Sequence, residues 1–315
     1  MPPRLVLVEG FPGNGKSATA QWLARQLTRA GHRARWIYEG ERPHPVLGDG
    51  RPGHASWTAS FADWLGRWGD FAAEARAVDT ITVLESAWLQ VPLARMLRRD
   101  LGHDVITAFI HKTVDAMRGL DAALVYFPQP APEAAMRRLC ERRGMTWASW
   151  HAAHLDASVF ARARRVSGFD GLLRYWREHS DLADAVVRGA GLPTLTLDPH
   201  AGGWDDRRGA IARFLGVTPV TDPPWTGAGL ERLVGEYRDG SRRLVVRLGG
   251  GGLTLDGLLW PRNRLLPVEA DVFEAESWPF LLAFLEAGGV IQAVRVDGPT
   301  VGQRRVAGTY EKTAA

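Results

Sequence analysis

The chain has 315 residues, of which 45% are apolar and 23% charged, and 39 basic residues against 35 acidic ones leave a formal charge of +4. That length accommodates two ordinary domains, and the balance is that of a folded globular chain rather than a disordered or polycationic one, with no dense basic run to argue for nucleic acid. A single cysteine, Cys140, excludes an intramolecular disulfide and a cysteine-rich zinc site.

Along the chain, Leu5–Val8 is a short continuous apolar run of the kind that forms a buried parallel strand. It is too short for a signal peptide, and no stretch reaches the roughly 20 apolar residues of a membrane span, so the expected location is the cytoplasm. Ser17–Arg29 predicts a helix, Arg35–Tyr38 a strand, Phe61–Val78 a helix and Thr80–Leu84 a strand. Leu93–Arg99 and Val105–Met117 read as helices, Ala123–Phe127 as a strand, and Glu133–Arg143 and Gly171–Ala190 as helices. Thr194–Asp198 is a last strand and Asp205–Leu215 a closing helix. Such alternation implies a parallel sheet covered on both faces.

The pattern changes at the proline-rich stretch Thr218–Pro224, so the expected division is a first domain over 1–217, a linker over 218–228 and a small antiparallel β domain over 229–315. There, Arg242–Leu248, Gly252–Leu255, Leu265–Val268, Val272–Glu274, Phe280–Leu285 and Val290–Val296 are strand-like, and Gly249–Gly252 suits a turn. Gly235-Glu236-Tyr237 and Gly308-Thr309-Tyr310-Glu311 mirror one another, as opposing edge strands of a small barrel would.

The chemistry begins directly after the first strand. Gly10-Phe11-Pro12-Gly13-Asn14-Gly15-Lys16-Ser17 satisfies the P-loop pattern, with a hydrophobic strand before it and a helix after it. Glycines let the backbone N–H groups turn inward around phosphates, and the helix presents its N-terminus to the same anion. Gly10, Gly13, Asn14, Gly15, Lys16 and Ser17 are therefore the expected binding residues for ATP or a related nucleotide. Lys16 would neutralise the β- and γ-phosphates, and the Ser17 hydroxyl would ligate Mg²⁺. Lysine is otherwise confined to Lys112 and Lys312.

From Arg4 to about Val217 the layout resembles the nucleoside and nucleotide kinases, thymidylate kinases above all and deoxynucleoside kinases more loosely. Tyr38-Glu39-Gly40-Glu41-Arg42-Pro43 is similar to the acidic-plus-proline segment beside the phosphoryl acceptor in that group. Thr80–Leu84 followed by Glu85-Ser86 resembles the strand whose terminal acid helps hold Mg²⁺ or the acceptor. Leu124–Phe127, Pro130, Pro132-Glu133 and Arg137-Arg138 resemble the strand, proline turn and arginine-bearing lid helix. The chain departs from thymidylate kinases in having Glu85-Ser86 for Asp-Arg, Arg42-Pro43-His44-Pro45 for a compact proline-glycine turn, and Pro128 or Gln129 for an aspartate. It also carries a tryptophan- and histidine-rich insertion, Gly144–Phe169.

The resemblance implies a P-loop NTPase three-layer α/β sandwich with a mostly parallel sheet. It implies ATP and Mg²⁺ as cofactors, and Lys16, Glu39, Glu85, Arg138 and Arg142 as catalytic residues. Ser17 and Glu85 would be the metal ligands. Glu39 stands at a strand end, where α/β folds gather ligands, as the acceptor-side carboxylate; a solvated loop glutamate is the alternative. Glu41, Trp64 and Arg67 are the substrate-side candidates, although the stripe Trp57, Phe61, Trp64 and Trp68 also reads as a helix packing on the core. His151, His154 and Asp156 make only a weak metal pattern, His111-Lys112 reads as surface, and Cys140 as a buried structural thiol. The β domain is loosely similar to those appended to serine-β-lactamase-like hydrolases, and could cover the acceptor site, mediate a homodimer or bind a partner. The expected function is a small-molecule kinase whose acceptor is a nucleoside, a nucleotide or another metabolite hydroxyl. The alternatives are a nucleotide-dependent binding or regulatory module, and a sulfotransferase, against which the intact Gly-Lys-Ser ending counts.

Overall fold

The computed structural model describes residues 2–48, 57–220, 229–249, 251–258 and 261–313. The chain divides into two units, one of Met1–Glu39 with His44–Pro219 and one of Gly40–Pro43 with Val220–Ala315. The short segment Gly40–Pro43 thus leaves the first stretch of chain and joins the second unit, a departure from the division at 217 read from composition. Part of the proline-rich linker lies outside the described residues.

The first unit is built on five strands: β1 (Leu5–Gly10), β2 (Ala34–Ile37), β4 (Ile81–Glu85), β5 (Ala122–Phe127) and β6 (Thr194–Thr196). They run in the order β2-β4-β1-β5-β6, and every pairing is parallel. β1 is buried along its whole length, as a central parallel strand must be. Its side chains alternate between two cores. Leu5 and Leu7 join Leu84, Leu124, Trp68, Trp88 and Trp176 on one face. Val6 and Val8 join Val83, Val125, Leu23 and Leu27 on the other, with Ile211 and Leu215. Two cores on one sheet make the three-layer sandwich that strand–helix alternation implies.

Helices α1 (Lys16–Arg29) and α9 (Trp204–Leu215) cover the second face. The other face carries α2 (Trp57–Ala77), α3 (Gln90–Arg98), α4 (His103–Ala116), α5 (Pro132–Arg143), α6 (Met145–Asp156), α7 (Val159–Arg164) and α8 (Gly168–Gly189). The insertion is helical and anchored. Ser158 Oγ caps α7 by accepting from Ala161 N at 3.1 Å. The Arg164 guanidinium forks onto Glu178 at 3.1 and 2.7 Å, and also pairs with Asp100. No described helix is long and apolar enough to cross a membrane.

The second unit is a closed barrel of eight antiparallel strands. They are β7 (Gly235–Asp239), β8 (Arg242–Gly249), β9 (Gly252–Asp256), β10 (Asn263–Glu269), β11 (Val272–Ala275), β12 (Leu281–Ala287), β13 (Val290–Asp297) and β15 (Gly308–Lys312). Each strand pairs with the next, and β15 returns to β7 through Glu311↔Arg238 and Lys312↔Tyr237. The mirrored segments of the sequence are these two closing strands. Tyr237 and Tyr310 each donate to the carbonyl four residues upstream, Leu233 O and Val306 O, both at 2.7 Å. Alternate residues such as Leu244, Val246, Leu282, Phe284, Val294 and Val296 are buried, and closure leaves no sheet edge. Beside the barrel, β3 (Glu41–Arg42) pairs with β14 (Thr300–Val301), and Gly302 N donates to Gly40 O at 2.8 Å.

Candidate active site

The site assembles where β1, β2, β4 and β5 end. Gly10 has φ 142°, and a Cβ there would lie 2.3 Å from Phe127 O, so only glycine lets the loop leave β1 so close to β5. Phe11 N donates to that same carbonyl at 3.2 Å. Gly15 adopts the left-handed conformation, with φ 85°, and opens α1 at Lys16. Asn14 braces the loop from outside: its Nδ2 donates to Phe127 O and Pro128 O at 3.4 and 3.3 Å, and its Oδ1 accepts from Gln129 Nε2 at 3.3 Å. Gln129 in turn accepts from Ala131 N at 3.1 Å, fixing the entry to α5.

Lys16 is buried, and its Nζ donates to Phe11 O at 3.0 Å. Burial lowers its pKa, while Glu85, Glu39 and Glu9 act in the opposite sense. Ser17 Oγ donates to Glu85 Oε1 at 3.0 Å, and Ser86 Oγ donates to the same oxygen at 2.9 Å. Glu85 Oε2 is buried without a partner. Burial, reinforced by the charge of Glu39, pushes the Glu85 carboxyl up to about 8 against the pull of Lys16 and the two hydroxyls. A serine hydroxyl next to a carboxylate with one unused oxygen fits a hard divalent cation such as Mg²⁺. Among the described residues no cluster of three or more His, Cys, Asp or Glu could hold a metal, so the remaining ligands would be phosphate oxygens and water.

Glu9, the last side chain before the loop, is fully buried. Its Oε1 accepts from Trp88 N and Leu89 N at 2.8 and 3.0 Å, and its Oε2 accepts from Gln90 N at 3.0 Å. It therefore caps α3 from a different strand, which is why that helix begins at Gln90, three residues before the apolar periodicity announces it. Burial pushes Glu9 up to about 7, against those three N–H groups and Lys16. Glu9→Gln would turn an amide nitrogen toward Gln90 N, a donor facing a donor. The expected cost is about 1–3 kcal/mol, read as a lower urea midpoint at unchanged slope.

Gln90 links this cap to Glu39. Its Nε2 donates to Glu39 Oε2 at 3.3 Å, and its carbonyl oxygen lies 3.2 Å from His179 Nε2. His179 is buried against Trp176, and burial pushes its pKa down to about 4. The unfolded chain binds this proton up to about pH 6.5, so the stability due to neutral His179 is complete above that pH and is lost as pH falls toward 4. A shift of that size is worth roughly 3 kcal/mol. His179→Gln, which keeps a donor for Gln90 O, is expected to lose less stability than the wild type between pH 6.5 and 4, measured by urea melts at each pH.

Helix α5 brings arginines to the loop, with Arg142 of the expected Arg138 and Arg142 beside it. Arg142 Nη2 comes within 3.1 Å of where a Cβ on Gly13 would stand. Arg143 lies within electrostatic reach of Tyr38, Glu39 and Lys16, and its guanidinium sits 5.0 Å over the Trp147 ring. Arg138 is exposed on α5. On the other side of the loop, Trp204 comes within 3.7 Å of a Cβ position on Gly15, and Arg207 and Arg208 lie over its ring at 5.2 and 5.0 Å.

The remaining candidates stand elsewhere. Trp64 is a core residue packed on Phe109 at 5.6 Å, with Arg95 over its ring. Arg67 pairs with Asp63 at 2.9 Å and lies against Gly48. Glu41 gives its backbone to the ladder with Val301 in the second unit. His151 packs at a tilt against Trp147 at 4.0 Å and His154 stacks on Trp150 at 5.3 Å, while Asp156 accepts from Gly168 N. Cys140 is buried, and burial raises its thiol pKa. Glu9, Gln90 and Trp204 escaped the sequence reading. Only Glu9 left a signal there, as a charged residue ending a wholly apolar strand.

The fold and loop together define the first unit as a P-loop α/β sandwich. No protein-family model matches the chain, and no curated protein matches it. Among solved structures, the chain is similar to the YorR protein from Bacillus subtilis in complex with phosphorylated GDP. The identity is 14% and the TM-score 0.35, over 67% of this chain and 95% of that one. It is also similar to deoxyadenosine kinase from M. mycoides with bound dATP, at 12% identity and a TM-score of 0.39, over 67% of this chain and 99% of that one.

Proposed function

We propose that this protein is an ATP- and Mg²⁺-dependent kinase that phosphorylates a small molecule, of the thymidylate-kinase-like P-loop type. The observation that carries the reading is the Ser17–Glu85 pair, with its unused buried carboxylate oxygen, beneath a glycine loop that buries Lys16. Phosphoryl transfer asks for positioning and charge stabilisation more than covalent chemistry, and the chain's own residues divide that work. The loop's backbone N–H groups and Lys16 hold the β- and γ-phosphates. Ser17 and Glu85 would hold Mg²⁺, which when bound would neutralise charge on the phosphate oxygens. Trp204, which lies beside Gly15, offers an aromatic surface for a nucleobase near the loop. Glu39 orients the acceptor hydroxyl and takes its proton, and Arg142 and Arg143 answer charge on the transferred group.

The test is ADP release from ATP·Mg²⁺ against a panel of nucleosides, nucleotides, sugars and hydroxy acids, with Lys16→Ala as control. Stimulation by one acceptor class, lost in the variant, supports the kinase. ATP binding with no stimulation by any acceptor would replace it with a nucleotide-dependent binding module.

A further inference from the structure

We infer that Gln129 is a positioning residue for the phosphate loop, and that it holds Asn14 in place only while His200 is neutral. The inference rests on the reading of the glycine loop as a nucleotide site and adds a group that reaches it from outside. Gln129 lies in the bend between β5 and α5, buried at 2% exposure. Both polar atoms of its side chain are used. Oε1 accepts from Ala131 N at 3.1 Å, and Nε2 lies 3.3 Å from Asn14 Oδ1 and 3.3 Å from His200 Nε2. Its backbone carbonyl takes the Ser180 hydroxyl at 3.3 Å, which ties the bend to α8.

Backbone groups settle which way each amide of this relay points. Ala131 N can only donate, so the Gln129 oxygen must face it and the NH₂ must face Asn14 and His200. Phe127 O and Pro128 O can only accept, so Asn14 turns its NH₂ to them and its oxygen to Gln129. One nitrogen therefore supplies both Asn14 Oδ1 and His200 Nε2, and the second must offer a lone pair. His200 is then the neutral tautomer with its proton on Nδ1.

The loop hangs on this relay. Asn14 stands between Gly13 and Gly15, both left-handed at φ 87° and 85°. Phe127 O takes N–H groups from both sides of the turn, Phe11 N at 3.2 Å and Asn14 Nδ2 at 3.4 Å. Loop N–H groups converge on a phosphate only when the loop keeps its shape. A protonated His200 would set N–H against N–H at Gln129. The carboxamide then leaves a buried donor unpaired, or turns over and strands Ala131 N and Asn14 instead.

His200 is exposed, so solvent delivers that proton, and histidine is the side chain that ordinarily changes charge between pH 5 and 8. The charged groups about it are Asp198 in its own loop, whose Oδ1 accepts from His200 N at 2.8 Å, and Arg207 of α9, whose guanidinium donates to Pro199 O. From the bend after β5 it meets the neutral Gln129. Protonation thus loosens Asn14, and ATP binding weakens as pH falls. By reciprocity, bound ATP holds His200 neutral.

The experiment titrates the full chain, His200→Asn and Gln129→Glu with a fluorescent ATP analogue at pH 8 and at pH 5.5. Protonation of the nucleotide itself, and of Glu85 and Glu9, enters all three proteins alike, so the comparison isolates His200. The expected rise in Kd from pH 8 to 5.5 is at least about threefold larger in the wild type than in His200→Asn, whose amide oxygen accepts from Gln129 at either pH. Gln129→Glu has no N–H for Asn14 and accepts from a protonated His200, so its rise should be the smallest of the three. The imidazole ¹⁵N spectrum at pH 8, with the His200 signal assigned by its loss in His200→Asn, should show Nε2 as the unprotonated nitrogen. Wild-type and His200→Asn rises that differ by less than that factor, or an Nε2–H tautomer, overturn the inference and leave the nucleotide site standing. His200 is exposed, so this comparison holds even if Gln129→Glu does not fold. A wild type that binds no analogue at pH 8 overturns the nucleotide reading and the inference together.

Discussion

Replacing Lys16 with alanine is expected to lower acceptor-stimulated ADP release by at least about 10²–10³-fold, the loss typical of removing one preorganised group from a developing charge. The effect should be this large because Lys16 is buried among Glu85, Glu39 and Glu9, where a low dielectric strengthens its field. Solvent offers no substitute cation, and the neighbouring arginines approach from α5 rather than from within the loop. Part of the loss should appear in binding. With Lys16 gone, Glu85 and Glu39 face the phosphates with their buried cation removed, so the Kd for ATP rises as kcat falls. Steady-state ADP release together with titration of a fluorescent ATP analogue separates the two. An alanine variant retaining more than a tenth of wild-type turnover would remove the loop from the chemistry.

Glu85→Gln is expected to uncouple stability from function. In the protein without nucleotide, Glu85 is a buried carboxyl with one unpartnered oxygen, and burial already works against its charge. An isosteric amide removes that cost, so the variant should melt at the same temperature as the wild type or a few degrees higher at pH 8, where about 1 kcal/mol corresponds to 2–4 °C in a domain of this size. Two serine hydroxyls can still donate to the amide oxygen in place of Oε1. Mg²⁺-dependent turnover should nevertheless fall by about 10²-fold or more, since an amide is a poorer ligand for a hard cation and carries no charge. The sharpest readout is calorimetric. The wild type should gain melting temperature when Mg²⁺ is added to ATP, whereas the variant should respond to ATP alone and ignore the metal. An equal Mg²⁺-dependent gain in both proteins would move the cation site away from Glu85.

The two predictions differ in how far they were legible before folding. Lys16 is readable because the P-loop is a local device, in which a strand, a run of glycines and a helix N-terminus are contiguous in the chain. Glu85 was readable for a related reason, as an acid at the end of an apolar run, although its pairing with Ser17 spans 68 residues. Gln90 was not readable. Its contacts come from Glu9, Glu39 and His179, which approach from β1, from the residues just after β2, and from α8, and no spacing within the sequence brings these together. The arginines of α5 show the limit of helical periodicity: residues four apart share a face, yet only the packing of α5 decides which of its arginines reaches the loop. Arg142 stands beside Gly13, and Arg143 comes within electrostatic reach of Glu39 and Lys16.

The sequence by itself determined the three-layer class of the first unit, the β character of the second and the phosphate loop, because each rests on periodicity or on contiguous residues whose conformational demands are local. Tertiary structure decided three further points. It closed the second unit into a barrel, since the mirrored tyrosine strands stand about 70 residues apart and pair only when the sheet curls. It drew Gly40–Pro43 into that unit, so that Glu41 serves in a ladder with Val301, although its place two residues on in the sequence set it with Glu39. It also made Glu9 the cap of a helix 80 residues later, which no local rule foresees, because a buried carboxylate takes its hydrogen bonds wherever folding brings donors to it.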